Sequence, residues 1–204
     1  MGIYSTKSGL ILGFHGCERE VRDKIVFGHE PMRHKDNAYD WLGFGDYFWE
    51  GNLARAWDFA QNPPGGKKYK EPAVLGAVID LGLCLDLLET EHILLVRHSY
   101  NAAKAALENI EESKLPVNKN VAGSSDRLLR YLDCLVIETL HKLRSRAGNP
   151  QFDSVRGMFD EGKELYPGAG FKDKNHIQIC IRNPNCIKGF FIPRNEVEWP
   201  SPTS

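Results

Sequence analysis

The fold of this protein is decided by the stretch Leu42-Gly43-Phe44-Gly45-Asp46-Tyr47-Phe48-Trp49-Glu50. Glycine accepts backbone conformations and close approaches that a side chain forbids, so Gly43 and Gly45 predict a tight loop. The aromatic run from Tyr47 to Trp49 is typical of a β-strand. An aromatic core strand beside an ordinary turn would explain the same residues. The stretch therefore indicates a site only together with the segments around it.

A helix is predicted directly after this aromatic strand. Asn52 is a suitable N-cap residue, because its side chain can accept a hydrogen bond from a backbone N–H of the first turn. The apolar positions that follow repeat at helical spacing, and they are Leu53, Ala56, Trp57 and Ala60. Pro63-Pro64-Gly65-Gly66 then ends the helix. A glycine loop, a strand and a helix thus meet within one short segment.

The composition limits the class of protein. With 204 residues, 42% of them hydrophobic, the chain can form one substantial core, and we predict a single domain over residues 1–204. Lysine and arginine number 26 against 27 acidic residues, so no overall charge attracts nucleic acid or an anionic membrane. No stretch is long and apolar enough to span a membrane, and the N-terminus has no signal-peptide pattern.

The cysteines indicate a reducing compartment. They are Cys17, Cys84, Cys134, Cys180 and Cys186. Their number is odd, they are widely spaced, and none forms a zinc-type cluster with histidine. Buried free thiols are typical of such a pattern, so we expect a cytoplasmic protein without a bound metal.

The N-terminal part of the chain predicts two strands with a helix between them. Residues 8–14 are an apolar run of strand length, which delivers His15-Gly16 to its end. A helix should follow, because Val21 and Ile25 are four residues apart among charged residues. A second buried strand is predicted over residues 73–80.

Two long helices are predicted in the middle of the chain. The first begins at Thr90 and carries the apolar stripe Ile93, Val96, Tyr100, Ala103, Leu107 and Ile110. The second begins near Ser124 or Ser125 and carries Leu128, Leu132, Leu135, Val136, Leu140 and Leu143. Such stripes must be buried, so we expect the helices to pack on each other and on the core.

The C-terminal part begins with an irregular, glycine-rich segment that follows Pro150. Residues 176–182 then alternate polar and apolar side chains, as a half-buried strand does. Asn183-Pro184-Asn185 predicts a turn, and residues 186–192 predict a last strand. Strands at both ends of the chain, with helices between them, indicate an α+β fold.

Four motifs, taken in order, resemble the catalytic core of the ADP-ribosyltransferases, in the branch of diphtheria toxin and the poly(ADP-ribose) polymerases. They are Phe14-His15-Gly16, Gly43-Phe44-Gly45-Asp46-Tyr47-Phe48, Asp153-Ser154-Val155-Arg156-Gly157 and Gln178-Ile179-Cys180-Ile181-Arg182. The likeness covers residues 8–80 and 150–192, and residues 90–146 would be a helical insertion. It implies a split antiparallel β-sheet with flanking helices, and NAD as the substrate without a metal.

The resemblance also implies roles for single residues. His15 would hold a ribose hydroxyl of NAD, the Gly16 backbone would pair with the nicotinamide amide, and Tyr47 would stack on the cationic nicotinamide ring. Trp57 or Phe59 would cover the other face of the ring. The implied catalytic residues are His15, Tyr47 and Gln178, and the implied NAD-binding residues are His15, Gly16, Gly43, Gly45, Tyr47, Phe48, Trp57 and Ser154. Ordinary core packing is the alternative for His15, Tyr47, Trp57 and Phe59.

Two positions depart from the pattern of the family. Gln178 stands where the polymerases carry a catalytic glutamate, and Arg55 stands near the place of a serine that grips the nicotinamide amide. Glutamine keeps a hydrogen bond to the ribose but supplies no negative charge and no base, so transfer of a single ADP-ribose is expected. Three acidic residues could substitute for the missing carboxylate, namely Glu161, Glu164 and Asp173.

The expected activity is therefore that of an NAD-dependent mono-ADP-ribosyltransferase with a protein or nucleic acid as acceptor. By resemblance, such an enzyme would serve as a bacterial toxin or phage-defence effector, with an antitoxin-like protein partner. Two alternatives stay open. One is a catalytically silent module that binds NAD or ADP-ribose, and the other is an NAD glycohydrolase.

Overall fold

The computed structural model describes residues 9–33, 36–66, 68–108, 114–121 and 126–195. Its strands are β1 (Ile11–Glu18), β2 (Asp46–Glu50), β3 (Pro72–Ile79), β4 (Cys84–Asp86), β5 (Ser154–Phe159), β6 (His176–Ile181) and β7 (Ile187–Phe191). Its α-helices are α1 (Arg19–Val26), α2 (Leu53–Gln61), α3 (Thr90–Glu108) and α4 (Tyr131–Arg146). Short 3₁₀ turns lie at Pro64–Gly66 and Pro184–Cys186. The predicted α+β class is confirmed.

The strands form one sheet in the order β4-β5-β6-β2-β1-β3-β7. Neighbouring strands are antiparallel except β4 and β5, which are parallel, so the sheet is mixed and mostly antiparallel. β1, β2 and β6 are adjacent in this order. These are the strands that carry His15, Tyr47 and Gln178.

The sheet divides between β1 and β2. β1 pairs with β3 over its whole length, from Ile11↔Ile79 to Glu18↔Pro72. With β2 it pairs only at Gly13↔Glu50 and Phe14↔Trp49. The two strands therefore diverge beyond Phe14, and the part of β1 that contains His15 lies along the opening.

A helix packs on each face of the sheet. Successive side chains of a strand point to opposite faces. On one face, called the α1 face, Cys17 packs with Ile25 of α1, and on the other, the α2 face, Phe14 packs with Ala56 of α2. His15 shares the α1 face with Cys17, because the two residues are two positions apart in β1.

The helical pair covers the other half of the α2 face. Ile137 and Leu140 of α4 pack with Val155 of β5 and Cys180 of β6. α3 begins at Thr90, as predicted. α4 begins at Tyr131, not near Ser124 or Ser125, and residues 122–125 and Ile110 lie outside the described residues.

The apolar stripes of the two helices are offset from the predicted ones. α3 buries His92, Ser99 and Ala103, whereas Ile93 is 46% exposed. α4 buries Cys134, Val136, Ile137, Leu140 and His141, whereas Leu143 is 38% exposed. Polar residues thus fill part of this interface, which a count of apolar residues alone does not detect.

Two boundaries near the motifs also differ from prediction. β1 continues to Glu18, so His15 and Gly16 lie inside the strand rather than at its end. The segment after Pro150, predicted to be irregular, contains β5 between β4 and β6. In the part of the chain that the structure describes, no helix has the length and hydropathy needed to cross a membrane.

Candidate functional site

His15 bridges the opening between β1 and β2. Its Nδ1 lies 2.8 Å from the carbonyl oxygen of Tyr47. Because a carbonyl oxygen only accepts, Nδ1 carries the hydrogen and Nε2 is left as an acceptor in the neutral ring. Burial lowers the pKa of His15, which favours this neutral form at pH 7.

A cavity of about 170 Å³ lies beside His15 on the α1 face. It is lined by His15, Val21, Lys24, Ile25, Glu30, Pro31, Met32 and Arg33. Lys24 pairs with Glu20 at 3.0 Å and with Glu30 at 3.3 Å, which fixes one charged wall of the cavity. The cavity therefore combines apolar side chains, two basic side chains, the Glu30 carboxylate and one imidazole.

The Gly16 backbone points toward the opening. Leu12 O accepts a hydrogen bond from Gly51 N at 2.8 Å, so the polar backbone groups of Leu12 face β2. Every second residue of a strand directs its N–H and C=O to the same side, so those of Gly16 face β2 as well. At this position β2 has already diverged. A Cβ on Gly16 would lie 2.4 Å from the carbonyl oxygen of Ala56, so only glycine fits beneath α2.

Tyr47 faces away from His15, on the α2 face. Its hydroxyl accepts from Leu42 N at 2.9 Å and donates to Gly43 O at 2.8 Å. Its ring packs against the core that contains Leu42 and Cys180. This geometry holds the glycine loop in place, and the stacking of Tyr47 on nicotinamide stays a prediction.

The predicted glycine loop is clamped between α4 and the end of β6. Gly43 has a φ of 84°, and a Cβ there would lie 2.6 Å from Glu138 Oε1. A Cβ on Gly45 would lie 2.4 Å from the carbonyl oxygen of Ile181. Glu138 accepts from Phe44 N at 2.9 Å and pairs with Arg182 at 2.5 Å. Both glycines are thus required by close packing.

Three other predicted NAD-binding residues lie in different surroundings. Ser154 is fully buried and its hydroxyl donates to Leu81 O at 2.6 Å. Phe48 is fully buried, with its ring centre 6.0 Å from that of His15. Trp57 is 44% exposed on α2, so the predicted apolar stripe of that helix is narrower than expected. The structure thus brings Phe48, but neither Ser154 nor Trp57, into contact with His15.

Helix α2 begins as the sequence predicts. The Asn52 side chain accepts from Arg55 N at 2.9 Å and caps the first turn. Ala56 and Ala60 are fully buried because they face the sheet at Gly16. Phe59, the other predicted ring cover, packs against Trp49 with ring centres 5.0 Å apart.

Gln178 lies on the α2 face, half-buried between Trp49 of β2 and Gly157 of β5. Its Oε1 accepts from Trp41 Nε1 at 2.6 Å, which orients the amide. One strand, β2, lies between β1, which carries His15, and β6, which carries Gln178. The side chains of His15 and Gln178 point to opposite faces of the sheet.

A polar cluster beside Gln178 was not predicted. Arg55 of α2 pairs with Glu161 at 2.8 Å, and its guanidinium lies 5.7 Å from the ring centre of Trp49. His176 of β6 lies 3.7 Å from the same carboxylate. The signal that could have found His176 is its position two residues before Gln178, on the same face of one strand.

Of the three acidic residues considered as substitutes for the family's glutamate, Glu161 is the one that the structure brings to this cluster. Glu164 accepts from Gly168 N at 3.0 Å, and Asp173 accepts from Lys163 N at 2.8 Å. Both therefore stabilise turns of the loop before β6. Within the described ranges, no group of three or more His, Cys, Asp and Glu side chains is arranged to hold a metal ion.

Comparison with known proteins gives no further assignment. No protein-family model matches the chain, and no curated protein is similar enough to be identified as a relative. Function must therefore be inferred from the arrangement of these residues.

Proposed function

We propose that the protein is an NAD-dependent mono-ADP-ribosyltransferase. It cleaves the bond between nicotinamide and ribose and transfers ADP-ribose to a protein or nucleic acid. The observation that carries the proposal is the position of His15, beside a cavity of about 170 Å³ where β1 diverges from β2. The strands with Tyr47 and Gln178 follow it directly in the sheet. The fold would then be the ADP-ribosyltransferase fold that the motifs resemble.

The chemistry of His15 suits a ribose. Its Nδ1 is engaged by Tyr47, so Nε2 can accept a hydrogen bond from a sugar hydroxyl. Arg33 on the cavity wall suits a phosphate of a dinucleotide, whereas Lys24 is already paired with Glu20 and Glu30. The Gly16 backbone, which faces the opening, can pair with an amide that enters between the strands.

The lack of a negative charge on Gln178 favours transfer of a single ADP-ribose over chain growth. Positive charge grows on the ribose as nicotinamide leaves, and a carboxylate would stabilise it by a few kcal/mol. Gln178 offers a hydrogen bond only, and the nearby Glu161 is partly neutralised by Arg55. Because Gln178 is not a base and Arg55 pairs with Glu161, activation of a ribose hydroxyl for chain growth is not expected.

A silent NAD-binding module is the second candidate. The observation that favours it is the hydrogen bond from Trp41 to the Gln178 amide oxygen, because this oxygen is already engaged. A glycohydrolase would use the same site with water as the acceptor. The biological role as a toxin or phage-defence effector with an antitoxin-like partner, and the cytoplasmic location, remain predictions.

Nicotinamide release from NAD labelled in its adenylate phosphate tests these alternatives. Total protein and total RNA of a cell extract serve as acceptors, and His98→Ala, at an exposed position of α3, is the matched control for His15→Ala. Release with labelled acceptor, abolished by His15→Ala alone, supports the transferase. Release without labelled acceptor indicates a glycohydrolase, and NAD binding without release indicates the module. A folded protein that does not bind NAD overturns the proposal.

A further inference from the structure

Phe44 of the glycine loop is held by two charged side chains from different elements. Glu138 of α4 accepts a hydrogen bond from Phe44 N at 2.9 Å, and Arg182, which directly follows β6, donates to Phe44 O at 3.0 Å. Phe44 lies in neither a strand nor a helix, so these side chains satisfy the backbone groups that a strand neighbour would otherwise pair. We call Glu138 and Arg182 the Phe44 clamp.

The two side chains of the Phe44 clamp also hold each other. Arg182 donates two hydrogen bonds to the Glu138 carboxylate, at 2.5 Å and 3.1 Å, and this fork geometry makes such pairs strong and specific. The Arg182 and Glu138 side chains are 15% and 12% exposed. Burial by itself would raise the pKa of the Glu138 carboxyl, but the hydrogen bonds from Arg182 and Phe44 N outweigh burial and lower that pKa. Glu138 is therefore charged at pH 7.

One chain of contacts leads from the Phe44 clamp to His15. Gly43 O, next to Phe44, accepts a hydrogen bond from the Tyr47 hydroxyl at 2.8 Å, and the same hydroxyl accepts from Leu42 N at 2.9 Å. The backbone carbonyl of Tyr47 accepts from His15 Nδ1 at 2.8 Å. A shift of the loop at Phe44 would therefore move Tyr47 and the carbonyl that orients the His15 ring.

A second chain of contacts leads from the Phe44 clamp to Gln178. Trp41 lies three residues before Phe44, and its Nε1 donates to Gln178 Oε1 at 2.6 Å. The indole packs directly on the backbone of Gly157, where a Cβ would lie 2.7 Å from the ring. The orientation of the Gln178 amide therefore depends on where the loop places Trp41.

The strand pairing alone does not fix His15 relative to Gln178. β1 pairs with β2 only at Gly13↔Glu50 and Phe14↔Trp49, so the part of β1 with His15 has already diverged from its neighbour. The glycine loop and the start of β2 contact both residues. A group displaced by about 1 Å can lose on the order of a hundredfold in rate, so the placement of this loop matters for any chemistry at the site.

We propose that Glu138 is a positioning residue for the candidate site, and that α4 sets the orientation of His15 and Gln178 through Phe44. The inference rests on the proposed function for the roles of His15 and Gln178 in catalysis. Their placement by the Phe44 clamp can be measured without NAD.

Two NMR signals of the NAD-free protein test this placement. The indole N–H of Trp41, identified by its loss in Trp41→Phe, should show the downfield shift of a short hydrogen bond. The ring nitrogens of His15, identified by their loss in His15→Ala, should show the tautomer with hydrogen on Nδ1. Glu138→Gln keeps the size of the side chain and removes its charge. In that variant the Trp41 signal should move upfield, and the His15 tautomer with hydrogen on Nε2 should increase.

Asp86→Asn is the matched control. Asp86 is 3% exposed and pairs with Arg156 at 3.1 Å, so this substitution also removes one charge from a buried arginine pair. Asp86 lies on β4, at the edge of the sheet and three strands from β2. Asp86→Asn should therefore leave the Trp41 and His15 signals in place, and it shows how much of any change comes from lower stability alone.

Activity gives a second measurement. In an active enzyme, Glu138→Gln should lower kcat/KM for nicotinamide release by about tenfold or more, because reacting groups are misplaced. Glu138→Asp keeps the charge for Arg182 but is one methylene too short to reach Phe44 N, so it should change the same signals and provides the test if Glu138→Gln is not folded. Unchanged Trp41 and His15 signals in a folded Glu138 variant, or changes that Asp86→Asn reproduces, would overturn the proposal.

The outcomes also separate this inference from the proposed function. Changed Trp41 and His15 signals in Glu138→Gln, in a protein whose wild type does not turn over NAD, would support the positioning role and rule out the transferase. NAD turnover at the full wild-type rate in Glu138→Gln, with both signals in place, would support the transferase and rule out the positioning role.

Discussion

His15 and Tyr47 are joined across the opening of the sheet, with His15 Nδ1 2.8 Å from the Tyr47 carbonyl oxygen. The contact uses the backbone of Tyr47, because the Tyr47 side chain points to the other face and binds Leu42 and Gly43. One hydrogen bond therefore sets the ring orientation of His15 and leaves Nε2 as an acceptor. His15 is thus positioned by the backbone of Tyr47 and not by its side chain.

The orientation of the His15 ring and its proposed contact with NAD use different ring nitrogens, Nδ1 and Nε2. His15→Asn keeps an N–H donor near the place of Nδ1 but has no acceptor near Nε2. We expect both His15→Asn and His15→Ala to lower the affinity for NAD by about tenfold, because one hydrogen bond to the ligand is lost. Isothermal titration calorimetry measures the affinity, with His98→Ala as the control. Full affinity for NAD in a folded His15→Asn protein would show that His15 Nε2 does not bind NAD.

Gln178 is held by Trp41 through a 2.6 Å hydrogen bond, which predicts a shared effect of the two residues on rate. In an active transferase, Gln178→Ala should lower kcat by about tenfold or more with a small change in KM, as for an interaction made mainly in the transition state. Trp41→Phe should act in the same direction and more weakly, because the amide remains but is less fixed.

Steady-state nicotinamide release measures both variants and their combination. Non-additive losses in the double variant would show that Trp41 acts through Gln178. An active wild type whose Gln178→Ala variant keeps its full rate would place the third catalytic role elsewhere, with Glu161 the next candidate because it lies in the neighbouring cluster.

Local signals in the sequence were sufficient for part of the fold. Asn52 and Thr90 were predicted as helix starts from their capping chemistry, and β6 was predicted from its alternation of polar and apolar residues. β5 was missed because it lies in the glycine-rich segment that was predicted to be irregular, and it also buries a charged residue, Arg156. Its guanidinium is satisfied by Glu50 at 2.5 Å and by Asp86 at 3.1 Å, residues far away in the sequence.

In the candidate site, too, contacts between residues far apart in the sequence could not be predicted. His15 and Gly16 could be selected because they are adjacent and end an apolar run. The pairing of Arg55 with Glu161 could not, because the two residues are 106 positions apart in the sequence. The exposure of Trp57 was unexpected for a similar reason. Small residues of α2 approach the backbone of Gly16 closely, and the larger side chain lies to the side.

Buried histidines predict a loss of stability in acid. His141 is 1% exposed, neither ring nitrogen makes a hydrogen bond in the described structure, and burial with nearby Arg182 lowers its pKa to about 4. The unfolded chain binds the proton from about pH 6.5 downward, so the unfolded state gains protons first and stability falls as pH drops from 6.5 to 4. At pH 5 the cost is about 2 kcal/mol for this group.

His141→Leu removes the titrating ring, so its free energy of unfolding should fall by about 2 kcal/mol less than that of wild type between pH 7.5 and pH 5. Urea denaturation at the two pH values measures the difference. His98→Leu, at an exposed position, should follow the wild type. Equal acid sensitivity of wild type and His141→Leu would mean that His141 is protonated in the folded protein.

Gly16 and Gly189 give a last, matched test of how α2 closes the site. A Cβ on Gly16 would lie 2.4 Å from Ala56 O and 3.0 Å from Ala60 N, both backbone atoms that cannot rotate away, whereas a Cβ on Gly189 of β7 meets nothing within 4 Å. Gly16→Ala should therefore cost about 1–3 kcal/mol of unfolding free energy, as overpacking does. Gly189→Ala should stay within about 0.5 kcal/mol of wild type. Because α2 would have to move away from β1, Gly16→Ala should also lower the affinity for NAD, measured at a temperature where the variant is folded. A Gly16→Ala protein as stable as Gly189→Ala would show that α2 does not press on β1 at this point, and the shape inferred for the opening would be wrong.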